Sequence, residues 1–443
     1  MKLLSKALVS ALCEMLAVSL VSAEPLSSRL NLAVVQPQID LTLTKTYPEL
    51  EVLYKDLHSH PELGFQEVNT ANKLAERMRA LGFTVTEHIG KTGVVALLKN
   101  GPGPTVLIRT ELDALPMQEK TGLAYESHDK AQWNGKEVPV AHSCGHDIHM
   151  AAWVGTAKVL ADMKAQWHGT LMFVAQPAEE SVNGARAMLE DELFKRFGKP
   201  DVGFALHVGP GLVGEVYYKS GVITSNSDGL EITFKGRGGH GSMPSATIDP
   251  VLMASRFVVD VQSVVSREKD AAEFGVVTVG AIHGGSAGNI IPDSVQVSGT
   301  IRSYSPAVRT VLTQGVARTA KATAEMSAAP APEVSIIPGG NAVVNDEQLT
   351  QSTASVFKAA FGSNAKALPS AIAASEDFSD FIIAGVPSVF FMIGGNEPGK
   401  LAEWKAAGQP VPVNHSPFFG PSPEASIKTG VKAMSLAVLN VMQ

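Results

Sequence analysis

Apolar and polar residues follow two different rhythms along this chain. Between residues 47 and 78 apolar positions recur at helical spacing, with a break at Pro61. Strand-like and helix-like segments then alternate. Residues 94–98 and 106–109 read as strands, the second flanked by Gly-Pro punctuation. Residues 147–163 read as a helix, with Met150, Val154, Ala157 and Ala161 on one stripe. Residues 171–175, 202–206 and 389–393 are short apolar runs of strand length, the last following the turn Gly385-Val386-Pro387. Strands alternating with helices predict an α/β domain around a mostly parallel sheet.

The rhythm changes after Lys219-Ser220-Gly221. Leu230, Ile232 and Phe234 alternate with polar residues, as in a strand with one wet face. A helix follows over 250–266, then strands at 275–282 and 295–301, then a helix over 306–324. This β-α-β-β-α order suits a ferredoxin-like α+β domain, with helices on one face of a small sheet. The Ala- and Pro-rich residues 328–332 read as the linker back. The expected organisation is a catalytic domain in two parts, 24–221 and 331–443, split by an inserted domain at 222–330.

The 443 residues suit two domains, and 45% hydrophobic with 18% charged residues allow a large core. A net charge of −7 argues against a nucleic-acid partner, which would need excess Lys and Arg. The N-terminus reads as a signal peptide, residues 1–23. Lys2 and Lys6 precede an apolar run over 7–21, interrupted at Cys13 and Glu14, and Val21-Ser22-Ala23 has the small-x-small pattern of a cleavage site. Cleavage after Ala23 would give a periplasmic or secreted protein starting at Glu24. The alternative is a cytoplasmic protein with an apolar tail. No other stretch approaches the ~20 apolar residues of a membrane span, so no stable membrane insertion is expected after processing. Cleavage would leave Cys144 as the one cysteine and rule out a disulfide within the chain. A thiol in an oxidising compartment is protected when a metal holds it as thiolate.

Candidate chemistry concentrates in Ala141-His142-Ser143-Cys144-Gly145-His146-Asp147-Ile148-His149, just before a helix. Cys and His suit zinc and its first-row neighbours, and one glycine between Cys144 and His146 lets both side chains converge on one ion. For His142 and His149 taken alone, a structural role is the better reading. Gln176-Pro177-Ala178-Glu179-Glu180 follows the strand at 171–175. Successive side chains there point apart, so one carboxylate can bind metal while the other faces substrate as acid or base. The bland reading is a pair of solvated carboxylates at a helix start. His207 follows the strand at 202–206, and His415 lies in Val413-Asn414-His415-Ser416-Pro417. The residues near 109–113, 179–180 and 207 all follow the C-terminal ends of expected parallel strands, where ligand sites of open α/β sheets gather. Asp113 is either an orienting group behind a ligating His or an ordinary turn residue.

These segments resemble the di-metal amidohydrolase family of aminoacylases, hippurate hydrolases and indole-acetyl-amino-acid hydrolases. The likeness covers nearly all of the chain after about residue 45. It is carried by Leu57-His58-Ser59-His60-Pro61-Glu62-Leu63-Gly64-Phe65-Gln66-Glu67, Asp113-Ala114-Leu115-Pro116, His142 to Asp147, and Pro177-Ala178-Glu179-Glu180. Gly238-Gly239-His240-Gly241, Gly288-Asn289-Ile290-Ile291-Pro292-Asp293 and Ser375-Glu376-Asp377-Phe378-Ser379 match in turn. Seven motifs in order make the resemblance specific.

The resemblance implies that Cys144, His146, Glu180, His207 and His415 ligate two divalent metal ions (zinc, manganese or cobalt), with Glu179 as general base. It implies that His240 and Asn289 act from the inserted domain, which serves as lid and dimerisation domain, and that His240 can serve a partner's site in a homodimer. Glu111 stands where the subfamily usually has Asp. The implied reaction is hydrolysis of the amide in an N-acyl amino acid or related small conjugate by metal-activated water. Two other readings remain at this point. One is a cysteine hydrolase with Cys144 as nucleophile and His146 as base. The other is a metal-dependent binding protein without turnover, against which Glu179, having no ligand role, argues.

Overall fold

A computed structural model describes residues 30–443. The expected signal peptide, with Cys13, lies outside the described residues. The larger domain is built on an eight-stranded sheet. Its strands run, edge to edge, Thr84–Ile89, Gly93–Asn100, Gly169–Gln176, Thr105–Glu111, Val202–Leu212, Ser388–Asn396, Val216–Tyr218 and Ala365–Ala367. The four central strands, from Gly169–Gln176 to Ser388–Asn396, are mutually parallel. Gly93–Asn100 and Val216–Tyr218 flank them antiparallel.

Strand pleating sends alternate side chains into two different cores. Val106, Ile108, Leu171, Phe173 and Ala175 face one core, shared with helices Leu32–Ser59, His146–Asp162 and Pro423–Val441. Leu107, Met172 and Val174 face the other, with Ala185, Met188, Leu193 and Phe381 from short helices. Both faces are therefore dry, which explains the continuous apolar runs in the sequence. Burying a side chain such as Phe173 contributes about 1.5–3 kcal/mol. Trp153 joins the first core and keeps its indole N–H satisfied by the carbonyl of Ile108 at 3.0 Å.

The first helix begins at Leu32, well before the expected start near 47, and contains both Pro37 and Pro48. Its buried stripe Val35, Ile39, Leu43, Tyr47, Leu50 shows why: core packing outweighs the hydrogen bonds that the prolines forfeit.

The smaller domain has a four-stranded antiparallel sheet in the order Gly275–His283, Ser294–Ser303, Asn226–Lys235, Glu333–Pro338. Helices Pro250–Asp260 and Pro306–Met326 pack on one face, against Leu230, Ile232, Phe234, Val295 and Val297. Each helix starts with a side-chain cap and a proline. Asp249 accepts from the Val251 and Leu252 amides, and Ser305 accepts from Val308. The α-helix ends at Asp260, and a π-helical turn follows over Val264–Glu268, where a helix to 266 was expected.

The fourth strand, Glu333–Pro338, moves the end of this domain beyond residue 330. Residues 328–332 connect a helix to a strand inside the domain and are not the linker between domains. An edge strand that alternates exposed and half-buried residues carries too few apolar positions to stand out in sequence. The two connections to the larger domain run side by side, with Gly221–Val222 pairing antiparallel to Val344–Asn345.

Candidate metal centre

The site lies at the C-terminal edge of the parallel strands, against the smaller domain. Gly145 has φ 88° and caps the helix His146–Asp162. A Cβ at this position would lie 2.4 Å from Val208 Cγ1, so the sharp step between Cys144 and His146 needs glycine. Cys144 Sγ is 3.4 Å from His207 Nε2. His146 Nε2 lies 3.9 Å from Glu179 Oε2 and 3.9 Å from Glu180 Oε1. His415 Nε2 is 3.3 Å from Glu180 Oε2. His415 sits at φ 67°, a left-handed backbone unusual for histidine, and its amide is held by the carbonyl of Ser143 at 2.8 Å. The structure thus brings Cys144, His146, Glu179, Glu180, His207 and His415 together.

Two of these histidines are oriented in the same way. His146 Nδ1 pairs with the Asp113 carbonyl at 2.7 Å, and His207 Nδ1 pairs with the Val208 carbonyl at 2.8 Å. A carbonyl takes the Nδ1 proton and leaves each Nε2 lone pair for a metal. Asp113 therefore orients His146 through its main chain. Its carboxylate does a second task, accepting the Glu180 amide at 2.9 Å.

His149 is different. Its Nδ1 meets Glu111 at 2.9 Å and its Nε2 accepts the Val208 amide at 2.8 Å, so neither nitrogen is left for an ion. Glu111 spends its two oxygens on His149 and Arg109. His142 is buried, with neither ring nitrogen paired and burial pushing it down to about 4.

The charge balance fits bound cations. Burial, Glu376 and Glu180 push Glu179 well above the usual carboxylate range. Burial also raises Glu180, to about 7, against the pull of His146. Burial, then Glu180 and Glu179, push the Cys144 thiol up. Two buried atoms, His146 Nε2 and Glu180 Oε1, face each other with no hydrogen-bond partner. Thiolate, imidazole and carboxylate donors together suit first-row divalent metals, and a dication relieves each of these conflicts. The same surroundings disfavour Cys144 as a free thiolate nucleophile.

His240 and Asn289 are not part of this cluster. Gly239–His240 pairs with Ile290–Ile291 in an exposed two-stranded ribbon of the smaller domain. Neither His240 nor Asn289 lines the cavity over the site within one chain. His240 Nδ1 instead pairs with the Ser242 hydroxyl at 2.8 Å.

The structure adds residues that had no assigned role in the sequence reading. Arg109 is buried and forks between Glu376 (2.6 and 3.3 Å), Asp377 (3.0 Å) and Glu111, while its Nε reaches Gln176 at 2.9 Å. Glu179 lies beside this network, with carboxylate oxygens within 4.8 Å of those of Glu376 and Asp377. A charged residue ending the apolar run 106–109 was the available signal, since buried arginines need buried partners. Arg302, from the smaller domain, lines the cavity with one long contact to the Ala373 carbonyl at 3.5 Å. Among the described residues it forms no ion pair.

A parallel-sheet domain split by a ferredoxin-like insertion, with a Cys/His/carboxylate cluster at the sheet edge, defines a metal-dependent hydrolase. The chain matches Peptidase family M20/M25/M40 over residues 107–439 and belongs to that family. It is 37% identical over 340 residues to the hippurate hydrolase of Campylobacter jejuni, covering 75% of this chain and 85% of the relative. It is 37% identical over 270 residues to the N-acetylcysteine deacetylase of Bacillus subtilis, covering 60% of this chain and 68% of that one. Among solved structures it resembles a dinuclear metal-binding peptidase of the M20 family from Bacillus subtilis, with TM-score 0.71 and 27% identity, over 91% of this chain and 100% of the other.

Proposed function

We propose that this chain hydrolyses the amide bond of small N-acyl amino acids or related conjugates. In this reading Cys144, His146, Glu180, His207 and His415 hold two divalent ions, drawn from zinc, manganese and cobalt. Bound there, such ions supply Lewis acidity to the acyl carbonyl and make water more acidic.

The observation that carries the reading is Glu179. Its carboxylate lines the cavity beside the ligand cluster yet accepts no hydrogen bond among the described residues. A carboxylate that lines the cavity without a hydrogen-bond donor of its own is placed to take a proton from water and return it to the leaving amine. The cavity of about 620 Å³ has room for an acyl group and an amino acid together. Arg302 offers an unpaired guanidinium for the carboxylate of the amino-acid half. The names of the two relatives, a hippurate hydrolase and an N-acetylcysteine deacetylase, support the same substrate class.

Two further parts of the reading concern assembly and location. Met243, Val251, Leu252, Val259 and Ile290 of the smaller domain are exposed, and its sheet ends in the open edge strands Gly275–His283 and Glu333–Pro338, which supports a homodimer through this domain. In such a dimer His240 can enter the partner's cavity and stabilise the developing oxyanion, with Asn289 beside it. The N-terminal pattern supports export. Among the described residues no helix is long and apolar enough to cross a membrane.

The test is Glu179→Gln, assayed against N-acetyl, N-benzoyl and aryl-acetyl amino acids. Metal content and fold should be kept, while kcat falls by about two orders of magnitude or more. Turnover at the wild-type rate would remove Glu179 from the chemistry.

A further inference from the structure

The motif running from Leu57 to Glu67 has no place in the chemistry above, yet it is tied to the site. Glu67 is fully buried. Its Oε1 accepts the Ala178 amide at 2.8 Å, and its Oε2 accepts the Thr92 hydroxyl at 2.6 Å. Ala178 has φ 49°, a left-handed conformation that costs an alanine about 1–2 kcal/mol. On the other side of Glu179, Asp113 Oδ2 accepts the Glu180 amide at 2.9 Å. The backbone N–H groups on both flanks of Glu179 therefore end on buried carboxylates.

The same segment supplies the space. A Cβ at Gly64 would lie 3.1 Å from Ala178 Cα and Cβ, and 3.4 Å from Asp113 Oδ2. Glu62 accepts the Ala114 amide through its carbonyl at 2.8 Å, which fixes the segment to the residue after Asp113.

We propose that Glu67 is a positioning residue, which holds the turn 177–180 in its left-handed form and so aims the Glu179 carboxylate into the cavity. The proposal rests on Glu179 being the base. A turn that would otherwise relax at Ala178 is kept strained by one acceptor placed 111 residues away in sequence. What matters is the acceptor and not the charge. Burial and Asp113 raise Glu67 to about 7, and either protonation state still offers an oxygen to the Ala178 amide. Glutamine can do the same, its carbonyl accepting from Ala178 and its amide donating to the Thr92 hydroxyl.

Three variants of the full chain test this: Glu67→Gln, Glu67→Leu and Glu67→Asp. Amide hydrogen exchange at Ala178 is read in metal-free protein, and kcat, KM and metal content are read in loaded protein. Exchange should quicken in the Leu and Asp variants and stay slow in Glu67→Gln. Glu67→Leu should lose about 10- to 100-fold in kcat at unchanged KM and with both metals present, the loss expected for a misaimed group. Glu67→Gln should stay within about threefold of wild type. Glu67→Asp retains the charge but falls short by one carbon–carbon bond, ~1.5 Å, and should behave like the Leu variant. If Glu67→Leu does not fold, the Asp and Gln variants decide. Wild-type kcat and exchange in Glu67→Asp would overturn the proposal. So would a Gln variant as slow as the Leu variant, or a loss that follows metal content. If Glu179 is not the base, Glu179→Gln stays active while Ala178 exchange still answers to Glu67, so the two failures are distinguishable.

Discussion

Arg109→Met should destabilise the larger domain by about 3–5 kcal/mol, because it leaves buried carboxylates without their cation. Arg109 is 1% exposed and its guanidinium makes five hydrogen bonds, to Gln176, Glu111, Glu376 (two) and Asp377. Burial works against its charge, and Glu111, Glu376 and Asp377 outweigh that penalty, holding its pKa above the ordinary value. Methionine has similar length and fills much of the same space, so the loss reports mainly on charge and hydrogen bonds. At roughly 2–4 °C per kcal/mol, the midpoint of thermal unfolding should fall by about 10 °C.

The sign of the pH dependence follows from Glu111. Burial pushes it up, but Arg109 and His149 outweigh burial and hold it well below its usual value. A depressed carboxylate stabilises the fold above its unfolded pKa, and that contribution fades as pH falls through the folded value. Without Arg109 the order reverses: the folded pKa rises above the unfolded one, and the fold loses stability as pH climbs between them. The deficit of Arg109→Met should therefore be smallest near pH 5 and largest near pH 8. Urea titrations of both proteins, metal-free so that metal loss does not enter, measure it at each pH. A deficit below 1 kcal/mol at pH 8, or one that grows as pH falls, would refute the argument. Arg109→Lys should fall between, since one ammonium cannot fork to three carboxylates.

Cys144 should resist alkylation in metal-loaded protein and react after chelation and partial opening of the site; equal rates with and without metal would count against ligation. Mixing inactive Glu179→Gln subunits with inactive His240→Ala subunits should restore part of the activity, and none in verified mixed dimers would exclude donation of His240 between subunits. Protein purified from its native host should begin at or near Glu24; N-terminal sequencing that finds Met1 or Lys2 would refute export by cleavage.

What the sequence made legible is what lies close together in it. Leu230, Ile232 and Phe234 alternate because one face of their strand is core, and all three are buried there. Cys144 and His146 stand out because the loop needs glycine between them. The misses have the opposite character. The helix begins at Leu32 and not near 47, and its Pro37 is tolerated because Val35, Ile39 and Leu43 pack against distant residues. Glu376 belongs to a motif visible in sequence, but its partner Arg109 lies 267 residues earlier, and nothing local predicts their pairing. Glu333–Pro338 joins its sheet through backbone hydrogen bonds, which carry no residue signature.

His146 and His149 show where reading stops. Both lie in one motif, on one helix, three residues apart, and their rings are 5.4 Å from each other. Residue type treats them alike, and in the sequence only the Cys144-Gly145-His146 spacing favours His146. The difference is made by what takes the Nδ1 proton. For His146 it is the carbonyl of Asp113, which leaves Nε2 without a partner and turned to Glu179 and Glu180. For His149 Nδ1 faces the Glu111 carboxylate, while Nε2 is consumed by the Val208 amide. A histidine open to a metal differs from a satisfied one here by one vacant lone pair, and that vacancy is set by main-chain groups of Asp113 and Val208, over 30 residues away in sequence. The longer side chain of Glu111 fits the same logic. It reaches His149 and Arg109, so the extra methylene is taken up in the hydrogen-bond network under the cluster.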